Sequence, residues 1–189
     1  MNIKALEKKV NLALEDLGSK DFYLLQKDLH ERTIAHQFAL YLGHQFKNYQ
    51  VDCEYNGNSA SGNGRKMIDD MNHRLQQPNQ DILGENRRIL GGISHSEDEN
   101  LADPIRVFPD IIVHWRGDND HNVLAIEIKK SSNARYQEFD KQKLKAFTAE
   151  RCAFKYDFGL FLEIGVKCRV LDNKMKWYEN GAQLIIPSV

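Results

Sequence analysis

No stretch of the 189 residues approaches the roughly 18 to 20 uninterrupted apolar residues of a membrane span. The opening MNIKALEKKVNLALEDLG mixes charge into its apolar positions and does not build a signal-peptide core. Cysteine is scarce: Cys53, Cys152 and Cys168 are an odd number without CxxC spacing, so neither a disulfide framework nor a cysteine zinc site is indicated. These absences predict a chain that stays where it is made, in a reducing cytoplasm and without a membrane partner. Charge of one sign is lacking too. The 26 Lys and Arg against 27 Asp and Glu leave a net charge of -1, which rules out binding to nucleic acid by bulk charge alone. A GxxxxGK[ST] phosphate loop and a GxSxG elbow are both missing, so nucleotide hydrolysis and serine hydrolysis lack their parts. His30 and His36 of HERTIAH lie six apart, roughly 600° around a helix, and cannot chelate zinc as an i, i+4 pair does.

What remains is the balance of an ordinary globular chain, 41% hydrophobic and 28% charged, of a length that predicts one domain over residues 1–189. From Ile3 to Leu17, Ile3, Leu6, Val10, Ala13, Leu14 and Leu17 recur at helical spacing up to Gly18, which predicts a helix over 1–18. Its stripe serves either as core or as a seam for a second copy or a partner protein. A second helix is predicted from Phe22 to Phe46, with Leu24, Glu31, Ile34, Ala35, Phe38 and Leu42 on or near one stripe. Glu31 thereby sits on the apolar side. Residues 49–56 alternate as a half-exposed strand, with Val51, Cys53 and Tyr55 against Asp52 and Glu54.

Residues 57–104 are polar, with few aromatics, and read as an insertion or lid carrying a short helix around Lys66 to Leu75. Regular patterning returns with a strand over 105–115, a turn at RGDNDHN, and a strand over 123–130 that pairs with the first as a hairpin. A helix from Tyr136 to Arg151 and a buried strand over 157–164 follow, and VKCRVLDNKMKWYEN reads as a closing pair of short strands. The expected class is α/β, a mixed central sheet flanked by helices.

Alternation along 123–130 sends Leu124, Ile126 and Ile128 to one face and Ala125, Glu127 and Lys129 to the other. Asp110 follows Pro109 in the preceding strand, and hairpin pairing brings its carboxylate near Glu127. A charged cross-strand cluster on an exposed face is the plain explanation. Both strands are otherwise apolar, however, so these charges are costly unless compensated, and a hard divalent cation relieves two facing carboxylates. Proline-aspartate, about 16 residues, then ExK on the next strand resembles the PD-(D/E)xK phosphodiesterase superfamily, read here as Pro109, Asp110, Glu127 and Lys129. The resemblance covers residues 22–56 and 105–164 and implies a restriction-endonuclease-like core.

By that resemblance Asp110, Glu127 and the backbone carbonyl of Ile128 hold Mg²⁺, with Mn²⁺ able to substitute, and Lys129 orients the attacking water. Glu31 is the candidate for a glutamate that joins the metal site from the first core helix, with Asp52 and Glu54 as rivals. The expected reaction is phosphodiester hydrolysis, on DNA before RNA, leaving 5′-phosphate and 3′-hydroxyl ends, and bacterial defence is a role by association. The segment from Lys129 to Lys155 is locally basic, and Lys130, Arg135, Lys141 and Lys143 are its candidates for contacting nucleic acid. His114 reads as a surface histidine. The alternative is a catalytically silent protein of the same fold that binds nucleic acid or docks onto a larger complex.

Overall fold

In the computed structural model, which describes residues 1–55, 67–68, 105–106, 108–133, 135, 137–150, 152, 154–167 and 172–185, the first apolar stripe folds as helix α1, Ile3–Lys20. Asn2 caps it, its Oδ1 accepting from the Ala5 amide at 2.9 Å. Gly18 does not end the helix. Its backbone stays right-handed, and the chain leaves the helix at Asp21, whose amide donates to the Leu17 carbonyl at 3.0 Å. Leu6, Val10, Ala13, Leu14 and Leu17 are all buried, so this stripe is core.

The long second helix is divided into α2, Phe22–Gln26, and α3, Glu31–Gln45. Asp28 causes the break by adopting a left-handed conformation, φ 51°. Its carboxylate accepts from Ser132 Oγ and pairs with Lys130 at 2.8 Å and Lys167 at 2.9 Å, which together hold it well below the usual carboxylate range. His30 then caps α3 by accepting from the Arg32 amide at 3.2 Å. Glu31 is therefore the first residue of a helix and not the middle of one.

Strand β1, Gln50–Cys53, is followed by a small two-stranded ladder of β2, Met67–Ile68, and β3, Ile105–Arg106. Met67 and Ile68 are thus strand, contrary to the helix expected around Lys66 to Leu75; the rest of the insertion lies outside the described residues. The strand expected over 105–115 is also two pieces, because β4 spans only Ile111–His114. Pro109 has no amide to give a ladder, and the chain re-enters the sheet after it.

β5, Leu124–Lys130, helix α4, Gln137–Thr148, and strands β6, Phe158–Ile164, β7, Lys174–Glu179, and β8, Ala182–Gln183, complete the described fold. The six-stranded sheet runs β1-β4-β5-β6-β7-β8, mixed, with β5 and β6 its one parallel pair. Ile111 pairs with Ile126 and Ile112 with Ala125, so the expected hairpin forms.

Helices cover both faces. Under α1 and α3 lie Ile111, Val113, Leu124, Ile126, Ile128, Leu160 and Leu162; under α4 lie Ile112, Ala125, Phe161 and Tyr178 with Leu144 and Phe147 of the helix itself. Gly159 lets α4 come close: a Cβ there would meet Leu144 and Thr148 side-chain carbons at 3.3 Å.

Candidate functional site

Continuing the β4–β5 register by one residue sets Asp110 opposite Glu127. Both side chains point to the α4 face, as do Ile112 and Ala125 two residues along. Asp110 Oδ2 accepts from the Ile128 amide at 2.7 Å. Burial is the main reason that its carboxyl is pushed up to about 6, against the pull of Lys143 and of that amide. Glu127 is only 1% exposed, and burial raises it well above the ordinary glutamate range, with Asp110 and Asp140 adding repulsion.

Glu127 Oε2 pairs with Lys143 Nζ at 2.7 Å, and Lys143 in turn with Asp140 Oδ1 at 3.1 Å. Asp140 Oδ2 pairs with Lys129 Nζ at 3.0 Å, and Lys129 with Glu31 Oε1 at 3.3 Å. Glu31 Oε2 accepts from the Lys130 amide at 3.2 Å. An alternating row of charges thus links the start of α3, the end of β5 and the first turns of α4. Burial works against the ammonium of Lys129 and of Lys143, yet the surrounding carboxylates outweigh it and both are shifted upward. The row opens to solvent at Glu31 and Lys129, whose side chains are 23% and 12% exposed, and is deepest at Glu127.

Of the residues singled out in the sequence, Glu31, Asp110, Glu127 and Lys129 come together. Asp52 and Glu54 do not. Asp52 accepts from His114 Nε2 at 2.9 Å and from Arg116 Nε at 2.8 Å, and Glu54 pairs with Arg32 at 2.8 Å. His114, expected at the surface, is 2% exposed, and this contact with Asp52 is one of its partners.

The lysines divide in a way the basic composition conceals. Lys143, expected to face a substrate, is buried in the charge row, because the apolar stripe of α4 that carries Leu144 and Phe147 also carries Asp140 and Lys143. Lys130 bends to Asp28, its Nζ also donating to the carbonyls of Asp28 and Leu29. Arg135 is exposed. Lys141 lies with Lys145, Lys176 and Tyr178 along a shallow groove beside α4, and it pairs weakly with Glu138 at 3.4 Å.

Asp140 was not singled out. Its signal is that of Glu31, a carboxylate at a stripe position of an amphipathic helix.

Among the described residues, the four carboxylates of Glu31, Asp110, Glu127 and Asp140 face two ammonium groups, Lys129 and Lys143. Glu127 Oε1, buried, has no hydrogen-bond partner among the described residues. Protons or a cation must make up the difference. Among the described residues no three His, Cys, Asp or Glu side chains group closely enough to cage a metal. A cation here would take one or two protein carboxylates and keep water on its remaining positions, which is the habit of Mg²⁺. The oxygen donors and the orphaned Oε1 fit such an ion. Comparison with known families, curated proteins and solved structures finds no match to this chain. No helix among the described residues is long and apolar enough to cross a membrane.

Proposed function

We propose that the chain is a divalent-metal-dependent nuclease built on a restriction-endonuclease-like core, with Asp110 and Glu127 holding Mg²⁺ or Mn²⁺. The observation that carries this reading is the crowding of four carboxylates at one end of the sheet, among them the buried Glu127, whose Oε1 has no hydrogen-bond partner among the described residues. The order helix, strand, strand, strand, helix, strand over α3, β1, β4, β5, α4 and β6, paired antiparallel, antiparallel and parallel, supports the core assignment. So does the seating of Pro109-Asp110 at the entry to β4, beside Glu127-Ile128-Lys129 on β5.

A divalent cation held by Asp110 and Glu127 would supply Lewis acidity toward a phosphodiester and a water of lowered pKa. The protein's own groups do the rest. Asp110 is fixed through Oδ2 by the Ile128 amide and would offer its other oxygen to the cation. Lys129, charged and held from two sides by Glu31 and Asp140, would orient an attacking water and offset developing negative charge. Lys141, Lys145 and Lys176 offer positive charge for a nucleic-acid backbone alongside.

Incubation of the purified chain with plasmid, single-stranded DNA and RNA in Mg²⁺, in Mn²⁺ and in EDTA is the direct test. Cleavage in either metal, abolished by EDTA and by Lys129→Ala, is expected, with DNA preferred. Nucleic-acid binding without metal-dependent cleavage of any of the three would overturn the enzyme and leave a binding protein of the same fold.

A further inference from the structure

Glu127 is not waiting empty-handed. Its Oε2 is held at 2.7 Å by Lys143 Nζ, and that ammonium is also 3.1 Å from Asp140 Oδ1. Both partners are out of solvent, Lys143 at 7% and Glu127 at 1% exposure. A divalent cation and this ammonium are drawn to the same carboxylate and repel one another. We propose that Lys143 is the built-in counter-ion of the metal-free site, neutralising Glu127 until a divalent cation binds and then withdrawing onto Asp140. This rests on the nuclease reading above and adds a control of metal affinity to it.

The geometry keeps the exchange local. Asp140 and Lys143 are i, i+3 neighbours on α4, so the ammonium that gives up Glu127 still has a carboxylate within reach. The four-carbon stem of a lysine can turn without moving the helix that bears it. Asp140 contacts Lys129 through its other oxygen, Oδ2, so taking Lys143 fully does not require it to release Lys129. Without a metal, the arrangement prevents an unpaired carboxylate from destabilising the sheet. With a metal, Lys143 lowers affinity.

Titration calorimetry with Mg²⁺ and Mn²⁺ on EDTA-stripped full-length protein tests this in wild type, Lys143→Met and Lys143→Gln. Both variants should bind metal at least about fivefold more tightly, the lower end of ordinary coupling between two sites. In EDTA they should melt below wild type, and metal should raise their melting temperatures by more than it raises that of wild type. Unchanged or weaker metal binding in a folded variant overturns the proposal. Should neither variant fold, the ¹⁵Nζ signal of Lys143 in the wild-type protein decides through a Mg²⁺ titration. Movement that saturates with the metal supports the exchange, and a fixed signal while metal binds overturns it. Absence of metal binding in wild type and variants alike removes the nuclease reading itself, whereas binding that is indifferent to Lys143 removes only the counter-ion.

Discussion

On the face covered by α1 and α3, β5 presents Leu124, Ile126 and Ile128, fully buried among Phe38, Leu42 and Leu160. On the face under α4 the same strand presents Ala125, Glu127 and Lys129, and the helix answers with Asp140 and Lys143. One strand thus serves two interiors. The first is a continuous apolar layer whose stability is non-directional and set by the area it buries. The second has a smaller apolar patch of Leu144, Phe147, Phe154, Tyr156, Phe161 and Tyr178 beside a row of charges that keeps its place only while each group is paired. Apolar packing and paired charge are thus assigned to opposite faces of the sheet, so perturbations of the two should separate in experiment.

The largest separation is expected from a pair of substitutions. Phe38→Ala, in the layer under α1 and α3, should lower unfolding free energy by about 3–5 kcal/mol in urea denaturation. It should change cleavage only in proportion to the fraction folded. Glu127→Gln keeps shape on the other face but loses charge, and should cut metal-dependent cleavage at least about a hundredfold. Its cost to the metal-free fold should be well below that of Phe38→Ala. A Gln variant that cleaves normally would place the chemistry elsewhere.

A middle-sized effect concerns pH. Asp110 is neutral below its unfolded value near 3.8 in both states, but in the folded protein it keeps its proton up to about 6. The unfolded chain therefore releases a proton earlier, and stability falls as pH rises between about 4 and 6, then levels off. Asp110→Asn cannot ionise and escapes that loss. In EDTA it should be more stable than wild type by about 3 kcal/mol at pH 8, with the advantage fading toward pH 4. Urea melts at both pH values check this. A difference that does not vary with pH would mean that Asp110 is less desolvated than its seat beside Ile128 implies.

How much of this was legible depended on whether the signal was periodic. The α/β order, the inward face of β5 and the hairpin that seats Asp110 opposite Glu127 all follow from alternation and apolar runs. Glu31 was readable as a charge on an apolar stripe, although its helix starts there. The break at Asp28 was not, because the apolar spacing runs on from α2 into α3 while the left-handed turn is stabilised by Lys130 and Lys167, remote in sequence. Asp140 and Lys143 carried the same stripe signal as Glu31. They were masked by neighbouring lysines that made the helix look like a solvated basic face. The burial of His114 is not legible locally, because Asp52, which meets it from the neighbouring strand, is remote in sequence.

The smallest expected effect sharpens the division within α4 itself. Lys143 points into the charge row, whereas Lys145 lines the groove with Lys141 and Lys176, and Lys145 makes no ion pair with any described residue. A lysine already neutralised by buried carboxylates has no counterions to release on meeting a phosphate; one that faces the groove does. Lys145→Ala should therefore weaken DNA binding modestly and reduce the magnitude of the slope of log affinity against log salt by about one unit. Lys176→Ala should do the same, the two effects adding, as for two lysines that would each meet a separate phosphate. Lys143→Gln should leave that slope unchanged when binding is measured in EDTA. Fluorescence anisotropy with a labelled duplex at four or five salt concentrations reads all three. A slope that falls for Lys143→Gln and not for Lys145→Ala would exchange the two roles, making the inner lysine the phosphate contact and the groove an ordinary solvated surface.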